Sequence, residues 1–283
     1  MKGPYHLLDT LYLPLDRKNI LRTKNIRKIP NGRNRRGGKH SYAEWAHVIG
    51  IFQTLIYLHL EQKTNNKILD IGCGTGLLGI ASEPFVGTQG RYVGMDVMTK
   101  DVEFCRRHYT DKNFEFIHFD VNNPAYAPEQ TGSKLKWSVD SDQFDLATAL
   151  SVWTHLNEED AVFYFKEINR VLKPDGKAII TFFLLDDSYQ NSLQHRSERE
   201  GRYHGTSQAQ WVFDQSSYGS DAWFHPKWVK VPEKAIGMTE KGLERILAGT
   251  DLKLIDHHQG NWKEEPGAFF QDILVFQKSC QES

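Results

Sequence analysis

Asp70, Gly72, Gly74 and Gly76 alternate with Ile71, Cys73 and Thr75 in one stretch of a 283-residue chain, directly after Lys67-Ile68-Leu69. A short apolar run of this kind forms a buried strand, the glycines make a sharp turn, and Leu77-Leu78-Gly79-Ile80 is apolar and helix-compatible. Glycines tolerate positive φ and carry no Cβ, so a ligand can lie on bare backbone at the free N–H groups of a helix N-terminus. About twenty residues past the turn, Tyr92-Val93-Gly94-Met95-Asp96-Val97 reads as a second strand ending in a carboxylate, the group that accepts both hydrogen bonds of a ribose diol. The pair predicts a site for a nucleoside-containing ligand.

Two ligand chemistries compete for that turn. Gly74-Thr75-Gly76-Leu77-Leu78-Gly79 also fits the G-x-G-x-x-G dinucleotide pattern, which on its own is weak. Asp70 argues against NAD, because a carboxylate at the strand end repels a pyrophosphate and binds an ammonium. That chemistry suits the amino-acid end of S-adenosylmethionine (SAM). No Gly-Lys-Ser/Thr follows the glycines, which excludes a phosphate-binding P-loop.

With Leu69-Asp70-Ile71-Gly72-Cys73-Gly74-Thr75-Gly76, Asp96, Phe119-Asp120-Val121, Phe144-Asp145-Leu146-Ala147-Thr148-Ala149-Leu150 and Leu172-Lys173-Pro174-Asp175-Gly176-Lys177 in this order and spacing, the sequence resembles the class I SAM-dependent methyltransferases over residues 64–186. The resemblance implies an α/β, Rossmann-like fold: a seven-stranded, mostly parallel sheet flanked by helices. It implies that Asp70, Gly72, Cys73, Gly74 and Gly76 hold the amino-acid end of SAM and that Asp96 and Val97 lie at the ribose. Asp120 then accepts from the adenine amino group, the Val121 N–H meets the ring, and Leu150 lines the transfer site. In relatives a helix before the first strand lies over the cofactor, so Tyr42 and Trp45 are cofactor candidates as well as cap or core residues.

The acceptor side is less constrained. Residues 151–155 follow the fourth strand, at the sheet end where ligands bind in open α/β folds, which puts Trp153 and His155 beside cofactor and acceptor. His155 has the pKa class of a general base, though a histidine here can equally cap the next helix. Residues 187–235 are polar with scattered aromatics and no regular period, which reads as a lid or acceptor-binding insertion rather than a second core. Tyr203, His204, Trp223 and His225 are its acceptor candidates, since stacking faces and polar edges suit a sugar ring or planar molecule. Asn123-Pro124-Ala125-Tyr126 is similar to the Asn-Pro-Pro-Tyr of amino-methylating nucleic-acid enzymes but departs at its third position and follows a different strand, so it is discounted. The histidines show no H-E-x-x-H or related spacing, so no metal site is expected.

The elements that must position these groups are legible in part. Ser41 with Glu44 makes a capping box for a helix carrying Trp45, Val48, Ile49, Phe52, Leu55, Ile56 and Leu60. Residues 99–109 and 158–172 read as helices, 114–120 and 177–185 as strands. After a short helix capped by Thr239, residues 252–257 and 270–276 form two strands joined without a helix, an antiparallel pair at one sheet edge. Gly260-Asn261-Trp262 and Phe270-Gln271-Asp272-Ile273-Leu274 are similar to elements of methyltransferases found with sugar-modifying enzymes.

With 39% hydrophobic residues, the chain can bury one substantial core. A net charge of −1 gives no global attraction for nucleic acid or membrane. Residues 17–39 are locally basic, a solvated or partner-covering arm first, an acceptor-phosphate or nucleic-acid contact second. Cys73, Cys105 and Cys280 are odd in number and widely spaced, as free thiols of a reducing compartment would be, and no signal peptide or membrane span is expected, so a cytoplasmic protein is predicted. The expected organisation is an N-terminal arm and cap helix (1–63), the SAM-binding core (64–186), the insertion (187–235) and a C-terminal helix with the strand pair (236–283). The expected function is SAM-dependent methylation, at oxygen, of a small-molecule or glycan-like acceptor. Its rivals are a SAM-sensing scaffold, an RNA or protein methyltransferase guided by the basic arm, and an NAD-dependent oxidoreductase.

Overall fold

The computed structural model of the protein describes residues 5–129 and 134–280. Residues 1–4, 130–133 and 281–283 lie outside the described residues. The chain divides into two compact units, Met1–His118 and Phe119–Ser283. The strands assemble into a seven-stranded sheet of order β10-β11-β5-β4-β1-β2-β3 and a four-stranded sheet of order β6-β9-β8-β7, in chain-order numbering with the ranges below.

The first unit holds α1 (Tyr5–Asn19), α2 (Tyr42–His59), β1 (Lys67–Ile71), α3 (Leu77–Val86), β2 (Arg91–Asp96), α4 (Thr99–His108) and β3 (Phe114–His118). Ser41 caps α2 by accepting the Glu44 N–H at 3.0 Å, as its sequence requires. The face of α2 carrying Trp45, Ile49, Phe52 and Ile56 is buried, and α2 packs on α3. Strands β1, β2 and β3 pair in parallel, with Leu69 beside Val93 and Asp96 beside His118.

Within the basic stretch 17–39, Lys18, Arg22, Lys24 and Arg33 are exposed as a solvated arm would leave them, but Arg35 is not. The guanidinium of Arg35 is buried: it donates to the Pro30 and His40 carbonyls at 2.9 Å and pairs with Asp9 of α1 at 3.0 Å. Arg36 reaches Asp101 of α4, Asn25 donates to the Ile80 carbonyl of α3, and the Asn34 carbonyl accepts from Thr75 Oγ1 at 2.6 Å. A buried guanidinium with its donors satisfied is held in place rather than solvated. The arm is a strap over the unit's own glycine turn.

The second unit holds β4 (Phe144–Ala149), α5 (Glu158–Val171), β5 (Leu172–Phe182), β6 (Leu184–Leu185), α6 (Asp187–Leu193), β7 (Phe213–Ser216), β8 (Trp223–Pro226), β9 (Gly237–Thr239), α7 (Glu240–Leu247), β10 (Leu252–His258) and β11 (Asp272–Lys278). β4 and β5 run parallel, whereas β11 pairs antiparallel with both β5 and β10, the expected C-terminal ending. β5 begins at Leu172, earlier than residue 177, because Leu172 already pairs with Phe144 before Pro174-Asp175-Gly176 bulges out and pairing resumes at Lys177. Residues 187–235 hold more packed core than their composition predicts. Their strands join the small sheet, and Tyr189, Phe213 and Val229 share a buried cluster with Phe183, Leu185 and Trp262. Irregular aromatic spacing hid that core, since short strands bury one or two residues each.

Candidate cofactor and acceptor site

The glycine turn is built from both sides. Gly72, Gly74 and Gly76 all have positive φ (66°, 51° and 87°), the left-handed region open to glycine. Cys73 N–H donates to the Met95 carbonyl at 2.9 Å, which holds the turn to β2, and the Tyr109 hydroxyl donates to the Thr75 carbonyl at 2.8 Å. Gly72 lies exposed between buried Ile71 and Cys73, so bare backbone faces outward there. A Cβ on Gly74 would meet only Arg36 at 4.0 Å, but one on Gly76 would sit 2.4 Å from the Tyr109 ring.

Asp96, at the end of β2, accepts from Gly74 N–H at 2.7 Å through one oxygen and from Met98 N–H at 2.8 Å through the other. Burial pushes its carboxyl above the ordinary range, while these two backbone groups pull it back down. An ionised carboxylate has about four acceptor positions, so two remain after the backbone bonds, the number a ribose diol needs. Outward-facing backbone at Gly72 and this half-used carboxylate fit SAM. Val97, next to it, is half-buried, and its carbonyl lies 3.1 Å from His118 Nε2.

Asp70 is buried at 1% exposure and accepts from the Tyr92 hydroxyl. Burial, then the Asp70 charge, holds the Tyr92 phenol well above its ordinary value, so Tyr92 keeps the proton it donates. Cys73 and Cys105 are buried free thiols, and Cys105 Sγ lies 3.3 Å from the Gly74 carbonyl. Trp45 is buried with its Nε1 donating to the Lys39 carbonyl at 3.2 Å, and Tyr42 donates to the Ile26 carbonyl at 3.3 Å. Both therefore fasten the strap.

In the second unit, Asp120 is exposed, Val121 is buried and Leu150 is half-buried just past β4. Ser151, next in line, has φ 57°, a strained value for a residue with a Cβ. It is held there by Thr181 Oγ1, which accepts its N–H at 2.7 Å, and by Gln271, whose Oε1 accepts from its hydroxyl at 2.8 Å.

His155 sits in a defined frame. Its Nδ1 lies 2.7 Å from the Glu233 carbonyl and its Nε2 lies 3.1 Å from the Tyr126 hydroxyl. A carbonyl only accepts, so Nδ1 carries the hydrogen and Nε2 of the neutral ring presents its lone pair. Tyr126 packs edge-on against the imidazole with centroids 4.9 Å apart. Asn123 fixes the pair: its Oδ1 accepts from the Ala125 and Tyr126 N–H groups, and its Nδ2 donates to the His155 carbonyl at 3.1 Å. The Asn-Pro-Ala-Tyr stretch thus owes its spacing to an Asx turn.

Glu233 ties further groups to this frame. Tyr218, at φ 55°, donates to both its carboxylate oxygens at 2.8 and 2.9 Å, and burial followed by that bond pushes the phenol up to about 12. His225 lies 3.0 Å from Ser217 Oγ and is pushed by burial below its ordinary value, against the Glu233 charge. His155, Tyr218 and His225 therefore gather around Glu233. His204 belongs elsewhere, with Nε2 2.8 Å from Glu264 and Nδ1 2.8 Å from Thr206, and Tyr203 stacks under Arg202. Trp153 and Trp223 are buried, Trp153 donating to the Ala161 carbonyl at 3.3 Å. Sequence reasoning passed over Tyr126 and Glu233. Tyr126 stood in a motif already noted, whereas Glu233 meets His155 through its backbone carbonyl, a contact that leaves no signal in the residue type.

Residues 62–245 match the family model described as "Methyltransferase domain". The chain belongs to that family, and it is a class I SAM-dependent methyltransferase by fold, with SAM as its cofactor. Among curated proteins it is 35% identical over 112 residues to a ubiquinone biosynthesis O-methyltransferase of Pelagibacter ubique, covering 40% of each chain. It is 29% identical over 121 residues to a demethylmenaquinone methyltransferase of Staphylococcus saprophyticus, covering 42% of this chain and 46% of that one. The chain thus spans less than half the length of these relatives. A SAM-dependent methyltransferase of Methanosarcina mazei shares the fold at TM-score 0.50 and 17% identity, over 80% of this chain and 98% of that one.

Proposed function

We propose that the protein transfers a methyl group from SAM to a hydroxyl of a small-molecule acceptor. The observation that carries the reading is the His155 frame, in which an Nε2 lone pair faces the hydroxyl of half-exposed Tyr126. The relatives named for ubiquinone and demethylmenaquinone methylation support a small-molecule acceptor. A sugar-containing acceptor would find its exposed aromatic partners in Tyr126, Tyr218 and Trp228 rather than in buried Trp223.

Bound SAM supplies a methyl carbon already activated by the sulfonium charge. The chain's own residues then need to place that carbon in line and dispose of one proton. In this reading Asp96 accepts the ribose hydroxyls, the turn at Gly72 and Gly74 lies against the amino-acid end with the Asp70 charge beneath it, and Asp120 with Val121 meets the base. As the acceptor oxygen bonds to the methyl carbon and the carbon–sulfur bond breaks, the acceptor's proton passes to the Tyr126 oxygen and the Tyr126 proton to His155 Nε2. The Glu233 carbonyl keeps Nδ1 protonated throughout, so the imidazole has one direction in which to act.

The test is methyl-labelled SAM with the purified chain and a panel of phenols and other small hydroxylated molecules. Labelled ether product is expected, with turnover falling by roughly 10²- to 10⁴-fold in His155→Ala and clearly in Tyr126→Phe. Affinity for S-adenosylhomocysteine (SAH), measured calorimetrically, should stay at the wild-type value in both. SAH binding without product from any acceptor would favour a SAM sensor, and NADH binding in place of SAH would reverse the cofactor assignment.

A further inference from the structure

The outer face of α1 is used by nothing described so far. Leu7, Leu11 and Leu15 follow one another at i, i+4 and i+8, with Leu8 and Tyr12 at i+1 and i+5. At 3.6 residues per turn these five lie on one arc of roughly 140°. All are exposed, Leu7 at 71%, Leu11 at 64% and Leu15 at 56%, and Leu21 just beyond the helix is at 84%. The opposite face does the packing: Leu13 is buried, and Asp9 accepts from Arg35 and from the Gly32 N–H at 3.0 Å. The helix is therefore fixed with its greasy side turned to water. Surface leucines scattered singly need no explanation, but a continuous stripe on a helix whose packing face is otherwise engaged does.

Charge at and just beyond the end of the helix indicates what covers it. Lys18 near the C-terminal end of α1 and Arg22 and Lys24 just beyond it are exposed, against one exposed acid of the helix, Asp16, since Asp9 is spent on Arg35. The stripe itself is aliphatic apart from Tyr12 at its edge, so it offers few directional hydrogen bonds to a specific protein surface. Aliphatic side chains on one arc, a tyrosine at the border and cations beside them suit a fluid interface that carries negative headgroups.

We propose that α1 is an interfacial helix that lays Leu7, Leu8, Leu11, Tyr12 and Leu15 on the surface of an anionic phospholipid membrane, with Lys18, Arg22 and Lys24 at the headgroups. The helix lies on the membrane and does not span it, being 15 residues long. The proposal is independent of the identity of the acceptor.

The experiment is co-flotation of the full chain with vesicles of phosphatidylcholine alone or with one part in three of phosphatidylglycerol. Binding to the anionic vesicles is expected, with weaker binding to the neutral ones and loss as salt is raised. The double variant Leu11→Glu/Leu15→Glu should lower the partition coefficient about tenfold or more. Lys18→Glu/Arg22→Glu should abolish the preference for phosphatidylglycerol. Both substitutions lie on the exposed face, and unchanged SAH affinity verifies that each variant is folded. A wild-type chain that stays in the lipid-free fraction at every composition overturns the proposal, as does undiminished flotation of the leucine variant. Sedimentation that shows a concentration-dependent dimer removed by Leu11→Glu, without vesicle binding, assigns the stripe to a second copy of the chain instead.

Discussion

At the scale of residues, the glycine motif divides its labour. Gly74 faces open space on the side proposed for the ligand, and alanine there costs the left-handed penalty of about 1–2 kcal/mol. Gly76 faces the Tyr109 ring, so alanine there collides with the protein's own core. Thermal melting should therefore show Gly76→Ala strongly destabilised without any ligand, whereas Gly74→Ala should melt only modestly below the wild type and lose SAH affinity by calorimetry. Asp96→Ala should weaken SAH by more than tenfold, since a charge-assisted contact to the diol is lost. An unchanged affinity would remove Asp96 from the cofactor site. The motif was fully legible in the sequence, because the residue types and the spacing both reflect the turn. Its division was not, because Tyr109 reaches Gly76 from 33 positions away. His155 could be picked out as a titratable group after a strand, but the atoms that orient it, the Glu233 carbonyl and the Tyr126 hydroxyl, follow from the tertiary arrangement alone.

At the scale of elements, the most demanding joint lies where β11 meets the turn that carries Trp262. Asp272 and Lys263 are both fully buried and lie 2.8 Å apart. Asp272 also accepts from Gly260 N–H, Leu184 N–H and Trp262 Nε1, each at 2.9 Å, and Lys263 reaches Asp186 at 2.7 Å. Burial alone would raise the Asp272 carboxyl, but the His257 bond, Lys263 and the Gly260 N–H outweigh it and hold it below its ordinary value. A carboxyl depressed in the folded state stabilises fully above its unfolded value of about 3.9 and loses that contribution as pH falls through the folded value. Lys263→Met leaves two carboxylates without their cation, so denaturant unfolding should show a loss of about 3–5 kcal/mol. Its acid-unfolding midpoint should move to higher pH. Elements with local chemistry were readable in advance, as Ser41 and Thr239 show at their helix caps. α1 was not, since Pro14 stands inside it and its apolar stripe faces outward. β5 was misjudged at its start because Pro174-Asp175-Gly176 is a bulge within the strand rather than the turn before it.

At the scale of the whole molecule, the sheet order and the antiparallel ending follow from patterns that span the chain, and the family match, over residues 62–245, stops short of that ending. The insertion is where global inference from sequence weakens, because a small sheet whose strands have two to four residues leaves no period to detect. The strap has a consequence of its own. Asp9 ties α1 to Arg35, and on either side of Arg35 the chain is fastened to the unit's core, Asn34 to the glycine turn at Thr75 and Arg36 to α4 at Asp101. In the proposed reading, the leucine stripe is thereby linked through one guanidinium to the turn assigned to the methyl donor. Thermodynamic reciprocity then fixes the exchange: by whatever factor a lipid surface tightens or loosens donor binding, a bound donor alters the grip on that surface to the same degree.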